Sequence, residues 1–146
     1  MVVFLVACSL PVFSAEITYF YDGDTVKIND AGRAYKLRLS DIDAPEHNQA
    51  YGKKSRWALI NFCKNASVNV YIVGIDQYQR NLGKLHCNNT DASAYMVRNG
   101  HAWFYRSYTM DDTLDLAEQQ ARQNKRGLWQ TKQQTPPWVW RKKHPH

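Results

Sequence analysis

Apolar and polar residues alternate along the first half of the chain, which is typical of β-strands with one buried face. EITYFYDGDTVKIND, residues 16–30, alternates on both sides of Asp22 and Gly23. A turn signal at 29–32 then leads into a return strand, RAYKLRLSDI, at 33–42. SVNVYIVGI and RNLGKLHC predict two further strands that pair with each other.

Three segments have the spacing of helices. KKSRWALINFCKN forms the first, between the two strand pairs, and the second begins at Asp91 as N-cap and stops at Gly100. The third begins at Asp111 or Asp112 and ends before Gly127. The apolar faces predicted for the first and third helices contain Trp57, Ile60 and Cys63, and Leu114, Ala117 and Ala121, respectively.

This order of elements predicts an α+β fold, a small closed antiparallel β-barrel with helices packed on it. A length of 146 residues suits one domain. We assign the domain to 16–130 and a basic tail containing Pro and Trp to 131–146. The tail lacks periodicity, so we expect it to run over the surface, pinned by Trp138 or Trp140.

The first fifteen residues carry no charge and are too short for a membrane span. They resemble a signal peptide that ends near Ser14 or Ala15, which predicts a secreted or periplasmic protein with no stable membrane span. Two alternatives stay open: a lipoprotein signal with a lipid anchor at Cys8, and a buried strand of a cytosolic protein. With the leader removed, Cys63 and Cys87 form a disulfide or remain as two buried thiols.

Composition narrows the class of partner. The net charge is +6, the pI is about 9.3 and 13% of the residues are aromatic, which argues against a disordered chain. A basic protein favours anionic partners such as nucleic acid, an acidic membrane surface or an acidic polymer.

Against this basic background, two short segments concentrate negative charge. Hard oxygen ligands of this kind suit Ca²⁺ or Mg²⁺, although Asp and Gly also occur simply as turn formers. Arg38 and Arg80 add cations, and the combination matches what phosphodiester hydrolysis requires. Arg38 and Asp43 are five residues apart, so a bend or bulge is needed to bring both into one site. The clustered carboxylates are Asp22, Asp24, Asp41, Asp43 and Glu46.

Six motifs in this order and spacing resemble the staphylococcal nuclease family over about residues 16–130. They are DGDTV at 22–26, RLSDIDAPE at 38–46, YGKKS at 51–55, DQYQR at 76–80, MVRNGHAW at 96–103 and GLW at 127–129. Gln77 and Gln79 depart from the pattern, because family members commonly have a basic residue and a glycine there.

The resemblance implies a five-stranded OB-fold-type barrel with three helices, and Ca²⁺-dependent cleavage of DNA and RNA to 3′-phosphate ends. It assigns metal binding to Asp24, Asp43 and the backbone carbonyl of Ala44. By the same resemblance Arg38 and Arg80 hold the reactive phosphate, and Glu46 acts as general base or positions the attacking water.

The resemblance also makes Tyr78 and Tyr108 candidates for stacking on nucleotide bases. We expect a monomer whose partners are its DNA and RNA substrates. The alternative is an OB-fold module that binds nucleic acid without catalysis, and a third idea, a surface protein that binds anionic lipid or polysaccharide, leaves the carboxylates unexplained.

Overall fold

The computed structural model describes residues 14–106 and 111–145. The strands there are β1 (Glu16–Phe20), β2 (Thr25–Asp30), β3 (Arg33–Leu39), β4 (Ile42–Asp43), β5 (Val68–Ile75), β6 (Asn81–Cys87), β7 (Thr90–Asp91) and β8 (Trp103–Phe104). The α-helices are α1 (Gly52–Cys63), α2 (Ala92–Arg98), α3 (Asp112–Gln123) and α4 (Pro137–Lys143), with a 3₁₀ turn at Gly127–Gln130.

The main sheet of the described residues has six strands: five follow the order β1-β2-β3-β6-β5, as expected for an OB-type α+β fold, and β7 pairs with β6. The two predicted pairs, β2 with β3 and β5 with β6, are antiparallel, whereas β3 and β6 run parallel where the pairs meet. A single antiparallel bridge between Ala15 and Val68 links the two outer strands. The strand order is therefore that of an OB-type barrel, but the strand path is not closed as we expected, and it has one parallel joint that the sequence pattern did not predict.

The barrel interior and the helices share one apolar core. Leu37 and Leu39 of β3 are fully buried, and Met96 and Val97 bring α2 against the same cluster. The residue between the two leucines, Arg38, alternates to the opposite face of the strand. The core thus fixes which side of β3 presents its polar side chain.

Sequence-encoded caps begin two of the helices. Asp91 accepts the N–H of Ser93 at 2.8 Å, and Asp111 rather than Asp112 caps α3 by accepting the N–H of Thr113 at 2.9 Å. The predicted apolar face of α3 is confirmed. That of α1 is confirmed at Cys63 but wrong at Trp57, which is 57% exposed, and Gly52, Ser55 and Leu59 complete the buried face.

A fourth helix, α4, occupies the segment that we expected to be irregular. Pro136 precedes it and Pro137 stands at its first turn, where a proline costs no hydrogen bond and has a suitable φ. Trp138 then packs edge-on to Trp103 of β8, at 6.3 Å between ring centroids. The tail is pinned by Trp138 as expected, but as a helix.

Cys63 and Cys87 form a disulfide between the last residue of α1 and the last residue of β6. Both are almost fully buried. In the part of the chain that the structure describes, no helix has the length and apolarity to span a membrane.

Candidate active site

The turn between β1 and β2 presents the first pair of carboxylates. Asp22 accepts the N–H of Asp24 at 3.0 Å, which closes a local side-chain turn. A Cβ on Gly23 would lie 2.0 Å from the Ser55 hydroxyl of α1, so glycine is required here for close approach to the helix. The turn is therefore pressed against α1, and this fixes the direction of Asp24.

Asp24 joins two segments of the site. Its Oδ1 accepts the Thr25 hydroxyl at 2.8 Å, and its Oδ2 accepts the N–H of Ala44 at 2.6 Å. Asp24 is 4% exposed. The backbone of Ala44, which follows β4, is thereby held beside a buried carboxylate.

Arg38 lies between Asp24 and Asp43. Its Nε is 3.3 Å from Asp24 Oδ1 and its Nη2 is 3.2 Å from Asp43 Oδ1. Its Nη1 donates to the carbonyl of Ile42 at 2.7 Å and also to that of Leu39. The turn at 40–41 supplies the bend that the odd spacing required. Burial opposes the charge of Arg38, but the neighbouring aspartates outweigh it and raise the pKa of the guanidinium.

A second guanidinium reaches the site from the tail. Arg141 of α4 donates from Nη1 to Asp43 Oδ1 at 3.0 Å and from Nη2 to Asp43 Oδ2 at 2.8 Å. The same Nη1 is 2.8 Å from Glu46 Oε1. The guanidinium of Arg141 thus binds both carboxylate oxygens of Asp43 and links Glu46 to Asp43. The sequence analysis did not predict this contact.

The aspartates of this site lie in an unfavourable environment for negative charge. Burial is the main cause that raises the pKa of Asp22 well above its ordinary value, and the charge of Asp24 adds to it. Burial likewise raises the pKa of Asp43, against the hydrogen bond from Arg141. A cation beside these aspartates therefore offsets part of the free-energy cost of burying their negative charge.

The carboxylates around Arg38 offer oxygen atoms of the kind that hard cations bind. Within residues 14–106 and 111–145, no group of three or more His, Cys, Asp and Glu side chains is arranged to hold a metal ion. Asp24 and Asp43 nevertheless face one another across Arg38, and the backbone of Ala44 adjoins Asp24. Two carboxylates and a carbonyl are the oxygen ligands that Ca²⁺ takes, and waters complete such a shell.

Arg80 forms its contacts within its own loop, which leads into β6 beside β3. Its Nε is 2.7 Å from Asp76 Oδ2, and its guanidinium lies 5.4 Å from the ring centroid of Tyr78. Asp76 also accepts the N–H groups of Tyr78 and Arg80, and these hydrogen bonds outweigh burial and lower the pKa of its carboxyl. The structure therefore brings Arg80 together with Asp76 and Tyr78, and its ion pair among the described residues is with Asp76.

The other residues that the sequence analysis named lie at different places in the structure or outside the described residues. Tyr78 is 71% exposed and free of the core, whereas Tyr108 and Cys8 lie outside the described residues. Asp41 turns away from the cluster toward Lys84 of β6, at 3.8 Å. Asp76, which organises the loop of Arg80, was missed by the sequence analysis although it opens the DQYQR motif.

Comparison with known proteins identifies the family of this chain. The family model "Staphylococcal nuclease homologue" matches residues 36–131, about two thirds of the chain. The chain belongs to the staphylococcal nuclease family. The matched part of the family domain contains Arg38, Asp43, Glu46 and Arg80, whereas Asp24 lies before it and Arg141 after it.

Similar proteins of the family occur in bacteria and plants. An "Uncharacterized endonuclease" of Escherichia coli O157:H7 is 38% identical over 138 residues, which cover 91% of this chain and 90% of that protein. A "Micrococcal nuclease" of Shigella flexneri is 33% identical and covers 89% and 81%, respectively. A "Probable staphylococcal-like nuclease" of Oryza sativa subsp. japonica is 39% identical over 75% of this chain but only 30% of that protein.

Proposed function

We propose that this protein is a Ca²⁺-dependent endonuclease that hydrolyses phosphodiester bonds of DNA and RNA, with little sequence specificity, to 3′-phosphate ends. The observation that carries the proposal is the bracketing of Arg38 by two buried carboxylates, at 3.3 Å from Asp24 and 3.2 Å from Asp43. Membership of the staphylococcal nuclease family and the names of its relatives support nuclease chemistry.

Asp24, Asp43 and the carbonyl of Ala44 are the groups that would hold the ion. When bound there, Ca²⁺ supplies positive charge that polarises a phosphate oxygen. Since these ligands are hard oxygens held by hydrogen bonds, the donor set suits Ca²⁺ better than a metal that prefers nitrogen or sulfur.

The protein's own residues supply the remaining chemistry. Arg38 offers N–H donors to the charge that develops on the phosphate, and it is already placed by two backbone carbonyls. Glu46 is the carboxylate available to orient or deprotonate the attacking water. We propose that Arg80 binds a phosphate in the substrate complex, because contacts of catalytic groups often tighten only there.

Product analysis tests the reaction type. DNA and RNA oligonucleotides labelled at the 5′ end are incubated with Ca²⁺, and the products are compared before and after phosphatase treatment. We expect fragments that carry a phosphatase-sensitive 3′ end, and a rate about 10²- to 10⁴-fold lower for Glu46→Gln. Products with 3′-hydroxyl ends would contradict the proposal, and binding without cleavage would favour the non-catalytic OB-fold module.

We further propose that the protein acts as a secreted or periplasmic monomer. The uncharged leader at 1–15 and the disulfide between Cys63 and Cys87 support export, since disulfides persist in oxidising compartments. Mass spectrometry of the exported protein would locate its first residue, with an unprocessed chain or lipid on Cys8 as the contrary results. Sedimentation of the purified protein at the mass of one chain is the expected outcome for the monomer.

A further inference from the structure

We propose that Arg141 is a positioning residue of the active site, so that α4 completes the catalytic centre from outside the matched family domain. This inference rests on the proposed nuclease function. It gives the tail a part in the chemistry, because Arg141 lies ten residues beyond the end of the match at 131.

The hydrogen bonds of Arg141 link the two carboxylates with different proposed roles. One nitrogen, Nη1, bridges Asp43 Oδ1 at 3.0 Å and Glu46 Oε1 at 2.8 Å, and Nη2 takes Asp43 Oδ2 at 2.8 Å. A planar guanidinium fixes both distance and orientation in a way that an ammonium does not. Arg141 therefore sets where Glu46 points relative to the proposed metal ligand.

The carboxylate of Asp43 can still bind a cation while it is hydrogen-bonded to Arg141. Its Oδ1 accepts hydrogen bonds from both Arg38 and Arg141, which occupy its two lone pairs. Among the described residues, Oδ2 accepts a hydrogen bond only from Arg141. Each carboxylate oxygen has two acceptor positions, so one on Oδ2 remains for an ion. The contact is thus compatible with a working site rather than only with a closed one.

Two further contacts hold the helix in this place. Gln49 accepts the N–H of Glu46 at 3.1 Å and donates from Nε2 to the carbonyl of Thr135 at 2.6 Å, just before α4. Trp138 packs on Trp103, which is the cross-strand partner of Asp43. The tail is consequently attached on both sides of the carboxylates that Arg141 contacts.

Kinetics of two matched variants of the full chain test this role. Arg141→Ala removes the fork, and Lys142→Ala removes an equal charge from an exposed position of the same helix. For Arg141→Ala we expect kcat at saturating Ca²⁺ to fall about 10- to 100-fold, as is typical when a group that orients ligands is lost. The KM for DNA should stay near that of Lys142→Ala. The thermal midpoint of Arg141→Ala should fall, because buried Asp43 loses a partner, so both variants are assayed well below their midpoints.

Added guanidinium distinguishes positioning from a structural role. At millimolar concentration it should fill the space left by Arg141→Ala and restore part of kcat, and calorimetry should still detect Ca²⁺ binding. A kcat equal to or above that of Lys142→Ala, or a loss that guanidinium does not restore, would overturn the inference. A wild-type protein that does not cleave would overturn both this inference and the proposed function, whereas cleavage unaffected in Arg141→Ala would overturn this inference alone.

We also infer, from a different surface, that the outer face of β1, β2 and β3 binds a segment of single-stranded nucleic acid next to the reactive site. This inference too rests on the proposed function. Tyr19 pairs with Lys27 across β1 and β2, and Lys27 pairs with Lys36 across β2 and β3. A groove of about 520 Å³ lined by Thr18, Tyr19, Tyr21 and Lys27 lies along this face.

The positive charges and the exposed aromatic ring on this face suit the binding of a polyanion that carries bases. Lys27 and Lys36 stand directly opposite each other, an arrangement that destabilises a sheet, and neither forms an ion pair within the described chain. Lys36 lies 4.3 Å from the ring centroid of Tyr21, and Tyr19 is 50% exposed. Cations beside exposed aromatic rings are the features that bind phosphates and stack bases of a single strand.

The position of the groove connects it to the candidate site. Tyr21 immediately precedes the carboxylate turn, and Lys36 is two residues before Arg38, so both basic side chains project from the same face of β3. A β-bulge between Ile17 and Tyr19 turns the strand there, as bulges beside active sites often do. A strand whose phosphate lies at Arg38 would therefore continue along the groove.

Oligonucleotide length tests this groove. Anisotropy in the presence of a chelator would measure binding of oligodeoxythymidines of about 4 and 12 nucleotides, independently of cleavage. Tyr19→Ala and Lys36→Gln should each weaken binding of the longer strand by about fivefold or more, with little effect on the shorter one. Tyr71→Ala, an exposed tyrosine of β5, is the control; equal losses for both lengths, or none beyond the control, would overturn the groove.

Discussion

At the scale of single residues, the site is a set of buried charges that compensate one another. Asp24 and Asp43 are 4% and 1% exposed, and Arg38 touches both. Removing one partner of such a set leaves an unpaired buried charge, which costs more than the pair contributes. Conservative substitutions are therefore the informative ones here.

Arg38→Lys keeps the charge but loses the planar fork that reaches two aspartates and two carbonyls. We expect kcat to fall about 10²-fold or more, because one oriented donor at the reacting phosphate is worth that much. Arg33→Lys, an exposed arginine of the same strand, should leave the rate unchanged. If steady-state assays give the two variants equal rates, Arg38 does not act on the phosphate.

At the scale of elements, the local patterns predicted the longer strands and the first three helices, but not the two-residue strands β7 and β8. Alternation located β2, β3, β5 and β6, and the caps located α2 and α3, since these signals lie within a few residues of each other. The buried face of α1 was misjudged, because Gly52 and Ser55 are buried only through close approach to the carboxylate turns. Such contacts depend on partners distant in the sequence.

The candidate site was predictable only in part, because some of its contacts join residues that are distant in the sequence. Asp24, Arg38 and Asp43 lie on two motifs that β2 and β3 bring together, and the structure does join them. Arg141 follows Asp43 by 98 residues, and no local pattern indicates a contact over that distance. The paired prolines before WVWRKK did offer a helix-start signal, which our expectation of an irregular tail overlooked.

The disulfide is the covalent link between α1 and the sheet. It closes a loop with a sequence separation of 24, for which the chain-entropy model gives about 3 kcal/mol of stabilisation. A Cys63→Ala/Cys87→Ala variant should therefore unfold roughly 10 °C lower in calorimetry. Reduced wild-type protein is the control and should show a similar shift; an unchanged midpoint in both would contradict this contribution.

At the scale of the whole molecule, a basic exterior surrounds a local acidic centre. The net charge of +6 attracts a polyanion over the surface, while the aspartates hold charge of the opposite sign at one place. These two features suit successive stages, first the capture of a nucleic acid and then reaction at one phosphate.

Salt should consequently weaken substrate binding. For the Glu46→Gln variant and a single-stranded oligonucleotide, neutralising three or more phosphates predicts a loss of affinity of more than about tenfold between 50 and 200 mM salt. Titration by anisotropy would measure it, with an uncharged-backbone analogue of the same sequence as control. Affinity that does not change with salt would rule out charge as the basis of capture.

The most direct test of the central claim is the initial rate of plasmid and RNA cleavage by the purified full chain, measured with Ca²⁺ and with a chelator. The carboxylates that bracket Arg38 predict rapid degradation of both substrates with Ca²⁺, none with the chelator, and loss of the Ca²⁺ response in Asp43→Asn. Absence of cleavage with Ca²⁺, or equal cleavage with the chelator, would contradict it.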